Sequence, residues 1–504
     1  MRKSRLLLST AAFVLAAATS AQAGTLYISN MQYEGAPNPS QARGTGFLIL
    51  DDAQASATVY ATHDIATRGT SPLTLGHIHR APAGVNGPVI FGFTPVPPVS
   101  PVGPLVWAIP QAELVNLNNA GLYMQFHTQL NPAGEIRGQI VRAMFAPAAT
   151  TDTQMLVANA LDVSAGRNTD LDQVLMGRFA STVTTATRTQ SLDDLSGRTL
   201  YSAGRQAVEA MAGFQDSLFE HAEDIAGSGK EGFGGFVGGG MIFGTRETDS
   251  ATAGAKISRP YVMAGFDYGM GGGANVGLSV GYADGKDEFR NAIGETSVKT
   301  TSVQAHFSGG NENVVFAAAV GYGWVNADST RSIASLGRTA TGAQDGKVLS
   351  AGAKVSVPLK LDGDSIIAPY GLIDYQVAKM DAYTETGASS VSLMVSEHKE
   401  KSSAAELGAA FEVPMGAGDD VHVRLLAGYR YLLEDGKDTI ETRFVGSAAT
   451  FNTLVRSPGI NGVRVGANLG AKVSDNMFIS AGYNGTISGR TKLHALEARL
   501  TLKM

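Results

Sequence analysis

The chain has 504 residues, of which 17% are charged, 61 are glycine and none is cysteine. Its mean hydropathy is near zero (+0.01). So low a charge content excludes a disordered chain and a coiled coil. The absence of cysteine excludes a disulfide framework and a cysteine-ligated zinc site. No run of about 20 apolar residues occurs, which excludes helical membrane spans but not a β-barrel of alternating strands.

The first residues predict an export signal. The basic segment Met1 to Arg5 precedes a mostly apolar stretch from Leu6 to Ala18, and Ala21-Gln22-Ala23 matches an A-x-A cleavage site. The apolar stretch is too short to cross a bilayer. We therefore predict a signal peptide at residues 1–23, cleaved between Ala23 and Gly24. An uncleaved N-terminal anchor is the alternative.

Residues 24–145 predict an antiparallel β-sandwich. Ala57, Val59 and Ala61 alternate with polar residues, as expected of a strand with one buried face. The segment Phe47-Leu48-Ile49-Leu50 is instead a continuous apolar run, which is typical of a strand buried on both faces. Glycine, proline, asparagine and aspartate separate these short runs, which favours a sandwich of short strands.

Residues 146–230 predict a helical linker. Ser191 with Asp194 resembles a capping box, which marks the start of a helix. From Leu200 to Ile225, apolar residues then recur mostly every three or four positions. This spacing predicts a helix of about 30 residues, about 45 Å long. Its single apolar face requires a partner surface.

Residues 231–504 predict a 12-stranded outer-membrane β-barrel. In one segment Val276, Leu278, Val280 and Tyr282 alternate with small or polar residues. The same alternation indicates strands near 232–245, 257–268, 274–284, 296–308, 314–329, 345–361, 365–384, 399–415, 419–434, 459–473, 476–487 and 491–504. Short turns follow the even strands and longer loops follow most odd strands, as in outer-membrane barrels. The fold class is therefore mainly all-β. A pair of soluble β-sandwiches is the alternative for this segment.

The C-terminal part resembles the β-domain of the autotransporter family, which mediates type V secretion. The resemblance lies in twelve final strands after a helical segment, and in Leu195-Ser196-Gly197 followed by Phe214-Gln215-Asp216. It implies a bacterial outer-membrane translocator whose pore holds the preceding helix. It also implies insertion into the outer-membrane lipid bilayer by the barrel-assembly machinery, with the N-terminal passenger at the cell surface.

The passenger resembles a CHRD domain, the module first described in chordin. Two blocks carry the resemblance, Gly76 to Val89 (GHIHRAPAGVNGPV) and His127 to Gln139 (HTQLNPAGEIRGQ). It implies an all-β domain that in animals is linked to binding growth factors. For this chain we predict binding or adhesion to an unknown extracellular ligand. Glu135 and Arg137 in the second block indicate a structural ion pair, with a ligand site as the alternative.

Three histidines of the passenger are candidate metal ligands. His77 and His79 lie two residues apart, so on a strand both point to the same face. His127 lies in the other block. Neutral imidazoles bind zinc or copper. The alternative is that all three are hydrogen-bonded structural residues, and we predict no other cofactor.

Nothing in the sequence predicts an enzyme or a nucleic-acid-binding protein. Gly277-Leu278-Ser279-Val280-Gly281 fits G-x-S-x-G, but it lies in an alternating strand with no helix after it. The lipase-like segment Gly363-Asp364-Ser365-Ile366 falls in a predicted turn. The net charge is −6, and no lysine occurs between Lys3 and Lys230, so a basic footprint for nucleic acid is missing.

The leading hypothesis is a non-enzymatic binding or adhesion module on its own outer-membrane translocator. The first alternative is a passenger that binds zinc or copper. The second is a porin-like barrel whose CHRD domain stays in the periplasm.

Overall fold

The structure is a computed structural model. It describes residues 25–503 except 34, 36–37, 52, 166–167, 180–183, 226–230, 362–364, 416–419, 434–436 and 457–460. The predicted signal peptide, with Ala23 and Gly24 at its cleavage site, lies outside the described residues.

The N-terminal part is a single antiparallel sheet that folds over on itself. Its elements are β1 (Thr25–Gln32), β2 (Arg43–Leu50), β3 (Ala57–His63), α1 (Ile65–Arg68), β4 (Leu73–Arg80), β5 (Val89–Gly92), β6 (Val102–Trp107), α2 (Gln111–Asn118), β7 (Leu122–Thr128) and β8 (Ile136–Arg142). The strand order is β5-β4-β7-β8-β1-β2-β3-β6. The two edge strands meet where the rings of Phe91 and Trp107 stack, with 5.4 Å between centroids.

The core of this part lies inside the folded sheet. It contains side chains from both halves of the sheet, among them Leu48, Val59, Ile78, Trp107, Met124 and Phe126. The predicted antiparallel β fold is confirmed, and the two layers of the sandwich are the two halves of one sheet. The alternation in β3 has the predicted effect, because Ala57, Val59 and Ala61 are all buried.

Four helices follow: α3 (Asp152–Leu161), α4 (Thr169–Phe179), α5 (Thr185–Leu195) and α6 (Ser202–Ile225). The predicted helix start at Ser191 is wrong, since Ser191 lies inside α5 and its hydroxyl donates to the Thr187 carbonyl at 2.9 Å. The chain turns at Gly197, where a Cβ would lie 2.6 Å from Leu200 Cδ1. The last helix, α6, therefore begins at Ser202 rather than near Ser191, and it has 24 residues instead of the predicted length of about 30. No helix in the described ranges is both long and apolar enough to cross a membrane.

The C-terminal part is a closed barrel. Its strands are β9 (Glu231–Arg246), β10 (Ala255–Met270), β11 (Asn275–Phe289), β12 (Gly294–Gly310), β13 (Val315–Ile333), β14 (Arg338–Ser356), β15 (Leu359–Lys360), β16 (Ile366–Met380), β17 (Tyr383–Thr384), β18 (Leu393–Val395), β19 (His398–Met415), β20 (Val421–Leu432), β21 (Lys437–Phe444), β22 (Thr450–Arg456), β23 (Asn461–Ser474), β24 (Met477–Ser488) and β25 (Thr491–Lys503). Twelve of them, all except β15, β17, β18, β21 and β22, form the wall. Pairing of β25 with β9 and of β14 with β16 closes it.

The twelve wall strands confirm the predicted barrel. Its outer surface carries the apolar members of the alternating pattern, which remain exposed, among them Leu278, Val280, Val320, Trp324, Leu349, Ile373, Leu425, Tyr429, Ile479 and Leu496. One end of the barrel has short turns, such as residues 271–274 between β10 and β11. The other end has the longer loops, which carry the small sheet β17-β18-β21-β22.

Candidate functional site: a helix-filled pore and a histidine cluster

The helix α6 lies inside the barrel and packs against β10 to β14, β16 and β19. Its apolar face fits against glycines of the inner wall. A Cβ on Gly321 would lie 2.8 Å from Met211 Cε, and a Cβ on Gly281 would lie 3.0 Å from the Phe214 ring. The small residues on the inner face of the barrel therefore give room for the large side chains of the helix.

Polar contacts fix the first half of α6 to the wall. The Ser202 hydroxyl donates to Asp287 at 2.8 Å, and the Arg246 guanidinium donates to Glu209 at 2.7 Å. Arg205 forms a buried ion pair with Glu400. Buried ion pairs add little net stability, but loss of one partner is costly. These contacts therefore specify one position of the helix.

The second half of α6 is held in the same way. Lys354 donates to Glu223 at 2.7 Å, and Arg499 donates to Asp224 at 2.7 Å. Arg424, one of the charged residues of the inner face, also pairs with Glu223. The inner arginines thus bind acidic groups, and several of those groups belong to the helix. The acidic residues spaced along α6 are the sequence signal for these pairs.

A buried histidine–aspartate bridge is a further contact that sequence reasoning missed. His221 of α6 and His306 of β12 both meet the Asp267 carboxylate of β10, at 2.8 Å and 2.6 Å. The three residues lie far apart in sequence, on three different elements. The strand register places Asp267 and His306 on either side of Gly277, and the packing of α6 into the pore adds His221.

The contacts of α6 also define its direction through the barrel. Near its start, the Tyr201 hydroxyl donates to the Ala253 carbonyl at 2.7 Å, in the loop between β9 and β10. Near its end, the Ser356 hydroxyl donates to Glu223 at 2.7 Å, at the short-turn end of β14. The helix therefore runs from the long-loop end to the short-turn end. The linker and the N-terminal sheet lie at the long-loop end.

One continuous apolar cluster joins the N-terminal sheet, the linker helices and the long loops. We call it the junction core. Its buried members include Leu26, Ile28, Phe47 and Ile49 of the sheet, Val157, Leu161, Leu171, Leu175 and Leu192 of the helices, and Val391, Leu393, Ile440, Phe444 and Phe451 of the loops. The run in β2 is thus buried on both faces, as predicted. Leu48 and Leu50 point into the sandwich, and Phe47 and Ile49 point into the junction core.

The three predicted histidine ligands meet on the face of the sheet opposite its core. In the pairing of β4 with β7, His77 is opposite Gln125 and His79 is opposite Tyr123, which places His127 diagonal to His77. His77 Nδ1 lies 3.4 Å from His127 Nε2. One ring nitrogen from each of the three lies within 4.8 Å of the others.

All three imidazoles are held in the neutral form. Burial lowers the pKa of His77, His79 and His127. The Arg137 guanidinium lowers the pKa of His79 further, and a proton on one imidazole of the cluster would oppose a second proton on its neighbours. For His127 burial outweighs the hydrogen bond to Pro132 and brings the pKa to about 4. Neutral imidazole is the form that binds metal ions.

Glu135 and Arg137 have separate partners. The Glu135 carboxylate accepts hydrogen bonds from the hydroxyls of Ser40, Thr70 and Thr128, at 2.5–2.7 Å. The Arg137 guanidinium donates to the carbonyls of Pro82 and Val85. Each side chain thus connects a loop to β8 or to the turn before it, which is a structural role. The predicted ion pair between Glu135 and Arg137 is wrong.

The two apparent hydrolase motifs have no catalytic setting among the described residues. Gly277–Gly281 lies within β11, far from any strand-to-helix turn. In the second motif, Gly363 and Asp364 lie outside the described residues.

Comparisons with known proteins identify both parts of the chain. Residues 235–484 match the autotransporter beta-domain family, and residues 24–140 match the CHRD domain family. No curated protein matches the chain. One similar solved structure is the translocator domain of the autotransporter NalP from Neisseria meningitidis, at 15% identity and TM-score 0.48, covering 59% of this chain and 98% of that chain.

Two further translocators are similar in structure. The beta domain of the Bordetella autotransporter Brka has 12% identity and TM-score 0.40, covering 54% of this chain and 99% of that chain. The transport unit of AIDA-I from Escherichia coli has 13% identity and TM-score 0.37, covering 57% of this chain and 97% of that chain. The two family matches account for the closed barrel and the folded N-terminal sheet. The chain is therefore a member of the autotransporter family, an outer-membrane β-barrel translocator with an N-terminal CHRD domain.

Proposed function

We propose that the barrel carries its own CHRD domain across the outer membrane and holds it at the cell surface. The observation that carries this proposal is the direction of α6, which enters the pore beside the long loops and ends beside the short turns. In outer-membrane barrels the short turns face the periplasm and the long loops face outward. The CHRD domain, on the long-loop side, would then face the medium.

We expect the CHRD domain to stay attached after transport. The junction core packs the sheet residues Leu26, Ile28, Phe47 and Ile49 against the linker and the outer loops. After a cleavage between the CHRD domain and the barrel, this apolar contact would still join the two parts. Burial of apolar surface on this scale favours a docked domain rather than a released one.

The role we propose for the displayed domain is binding or adhesion, without enzymatic activity. The proline-rich loop after β5 and the edge strand β6 expose three large apolar side chains, Val96 at 63%, Val99 at 66% and Val106 at 73%. Exposed apolar surface of this kind often marks an interaction site. The ligand would be an extracellular molecule, and the membrane partners would be the outer-membrane bilayer and the barrel-assembly machinery.

A domain exchange separates this proposal from a porin-like barrel with a periplasmic CHRD domain. Residues 25–145 are replaced by an unrelated small domain, and antibody binding to that domain is measured on intact cells. A translocator is expected to display the substitute at the surface. As a control, the same domain exported without residues 146–504 is expected to bind antibody only after the outer membrane is opened.

The proposal is abandoned if the barrel is inserted in the membrane while the substitute domain is reached only after permeabilisation. Insertion is checked by the heat-dependent gel mobility of the folded barrel, so that a failure of assembly is not mistaken for a failure of transport.

A further inference from the structure

The CHRD domain contains a second feature that display at the cell surface does not explain. His77, His79 and His127 bring their ring nitrogens together on the sheet face opposite the core. His79 and His127 are each only 7% exposed, and His77 is half-buried at the opening of the cluster. Buried polar groups are normally hydrogen-bonded. The Nε2 atom of His79 is nevertheless buried without a hydrogen-bond partner among the described residues.

Backbone carbonyls fix the tautomers of two of these rings. His79 Nδ1 lies 3.0 Å from the Gly87 carbonyl oxygen, and His127 Nδ1 lies 3.0 Å from the Pro132 carbonyl oxygen. A carbonyl oxygen only accepts, so each Nδ1 carries a proton and donates it. The Nε2 atom of each neutral ring therefore presents a lone pair to the cluster. Histidines that bind metal ions are commonly oriented by hydrogen bonds of this kind from the other ring nitrogen.

The third ring completes the set. Because His127 Nε2 can only accept, His77 Nδ1 donates to it, but their separation of 3.4 Å is long for a hydrogen bond. Two nitrogens bound to one tetrahedral zinc ion lie about 3.3–3.4 Å apart, given Zn–N bonds of about 2.0–2.1 Å. Moving the His77 proton from Nδ1 to Nε2 changes the tautomer without changing the charge. All three rings can then direct a lone pair to one point.

The surroundings also hold these rings in place. The His79 ring stacks on Tyr123, with 4.8 Å between centroids, and the Arg137 guanidinium lies 3.5 Å from the centre of the same Tyr123 ring. Tyr123 lies on β7 between β4, which carries His79, and β8, which carries Arg137. The tyrosine thus separates the arginine from the imidazoles and limits the rotation of His79.

We propose that His77, His79 and His127 form a three-histidine site for a divalent transition-metal ion of the zinc or copper class, with a fourth position open to solvent beside His77. An all-nitrogen ligand set excludes calcium and magnesium, which require oxygen ligands. Three protein ligands and one open position are the arrangement that leaves a metal accessible to water or to an external ligand.

The pore contains another histidine cluster, which provides the control. In His221, Asp267 and His306, the carboxylate already accepts from both rings at 2.8 Å and 2.6 Å. The ring nitrogens that face this carboxylate are therefore paired without a metal ion, and the other nitrogen of His306, Nδ1, is buried without a hydrogen-bond partner among the described residues. In the CHRD domain no such carboxylate is part of the cluster within the described residues.

Metal retention by the folded full-length protein tests the proposal. The protein is stripped with a chelator, loaded with Zn²⁺, dialysed and analysed for bound metal, and a second sample is loaded with Co²⁺ to record its visible absorption. We expect about one zinc ion per chain and the intense absorption of four-coordinate cobalt. His77→Gln with His127→Ala should abolish both signals, and His306→Gln should leave both unchanged.

The single variant His77→Gln guards against misfolding, because His77 is the most exposed of the three. It is expected to weaken zinc binding at least about 10-fold, since loss of even an outer-shell partner costs 10–100-fold. Its folding is checked in a Trp324→Phe background by the emission of Trp107, the buried tryptophan of this domain. The proposal is overturned if the folded wild-type protein retains no zinc, if the double variant retains as much as wild type, or if only His306→Gln loses metal.

Discussion

The hydroxyl oxygens of Ser164 and Ser447 lie 2.6 Å apart, although 283 residues separate them in sequence. Ser164 follows α3 in the linker, and Ser447 lies between β21 and β22 in the longest outer loop. Both side chains are buried. This contact sits at the edge of the junction core and joins the passenger side of the chain to the barrel loops.

A disulfide can test this docking, because the chain contains no cysteine. Hydroxyls in direct contact place their Cβ atoms close to the separation that a disulfide requires. We expect the Ser164→Cys/Ser447→Cys variant to form an intramolecular disulfide under mild oxidation, seen as a mobility change on a non-reducing gel. The Ser164→Cys/Ser365→Cys control places the second cysteine at the short-turn end of β16 and should not cross-link. Equal cross-linking of both pairs, or of neither, would contradict the docked arrangement.

The packing of α6 on the wall predicts an energetic coupling between Met211 and Gly321. Met211→Ala is expected to cost about 2–5 kcal/mol through the cavity it leaves. Gly321→Ala should cost about 1–3 kcal/mol, because its Cβ would lie 2.7 Å from Ser350 Oγ, 2.8 Å from Met211 Cε and 2.9 Å from Gln304 Cγ, and only the contact with Met211 belongs to α6. The new methyl group partly fills the space left by Met211→Ala, so the double variant should cost less than the sum. Urea unfolding of the protein in detergent measures all three.

Gly371→Ala is the matched control for this cycle. Gly371 lies in the wall strand β16, and its Cβ would make only an ordinary contact at 3.6 Å with Leu407. We expect it to be additive with Met211→Ala within about 0.5 kcal/mol. Strict additivity of Met211→Ala with Gly321→Ala as well would mean that α6 does not pack at this position in the pore.

The environment of the Glu135 carboxylate predicts that the CHRD domain loses stability in acid. Burial alone would raise its pKa, but hydrogen bonds from Ser40, Thr128 and Thr70 outweigh burial and hold the pKa below its usual 4.5. A carboxyl with a depressed folded pKa contributes stability above the unfolded value, and this contribution is lost as pH falls below about 4.5. Glu135→Gln should lower the free energy of unfolding at neutral pH by about 1–3 kcal/mol. It should also flatten the acid limb, by which we mean the fall in stability as pH decreases from about 5 to 3.

The emission of Trp107 isolates this domain. The chain has two tryptophans, and Trp324→Phe removes the one on the barrel surface, leaving Trp107 in the CHRD core. Thermal unfolding is then followed between pH 7 and pH 3 in this background. Ser40→Ala, which removes one donor to Glu135, should shift the acid limb in the same direction by less. An acid limb unchanged by Glu135→Gln would refute this role of the carboxylate.

The parts of the fold that could be predicted from the sequence are those that depend on the local spacing of apolar residues. Alternation of period two fixes which side of a strand is apolar, so the twelve wall strands and the outward position of Leu278 and Val280 followed from sequence. The continuous run in β2 likewise indicated burial of both faces. The run could not indicate that its second face packs against the linker helices, because the sequence of a strand shows that a face is buried but does not identify the surface that covers it.

The errors arose where tertiary structure overrides a local pattern. Ser191 and Asp194 have the spacing of a capping box, yet the cap of α5 is Thr184, whose hydroxyl accepts from the Thr187 amide at 3.2 Å. The bridge of His221 to Asp267 was equally invisible, because it depends on the depth to which α6 enters the pore. The three CHRD histidines could be selected because His77 and His79 share one strand face and His127 lies in the second block of the CHRD resemblance.

Cysteine labelling of intact cells tests the central claim most directly. Three exposed positions are replaced one at a time in the cysteine-free chain, Ala83→Cys in the CHRD domain, Ser250→Cys in the loop between β9 and β10, and Asn476→Cys in the turn between β23 and β24. The reagent is a maleimide joined to a polymer too large to pass through porins. The account predicts labelling of Ala83→Cys and Ser250→Cys on intact cells, and of Asn476→Cys only after the outer membrane is opened. Two results on intact cells would contradict the account. In the first, Ala83→Cys is protected while Asn476→Cys is labelled. In the second, Ser250→Cys is the only one of the three that is labelled.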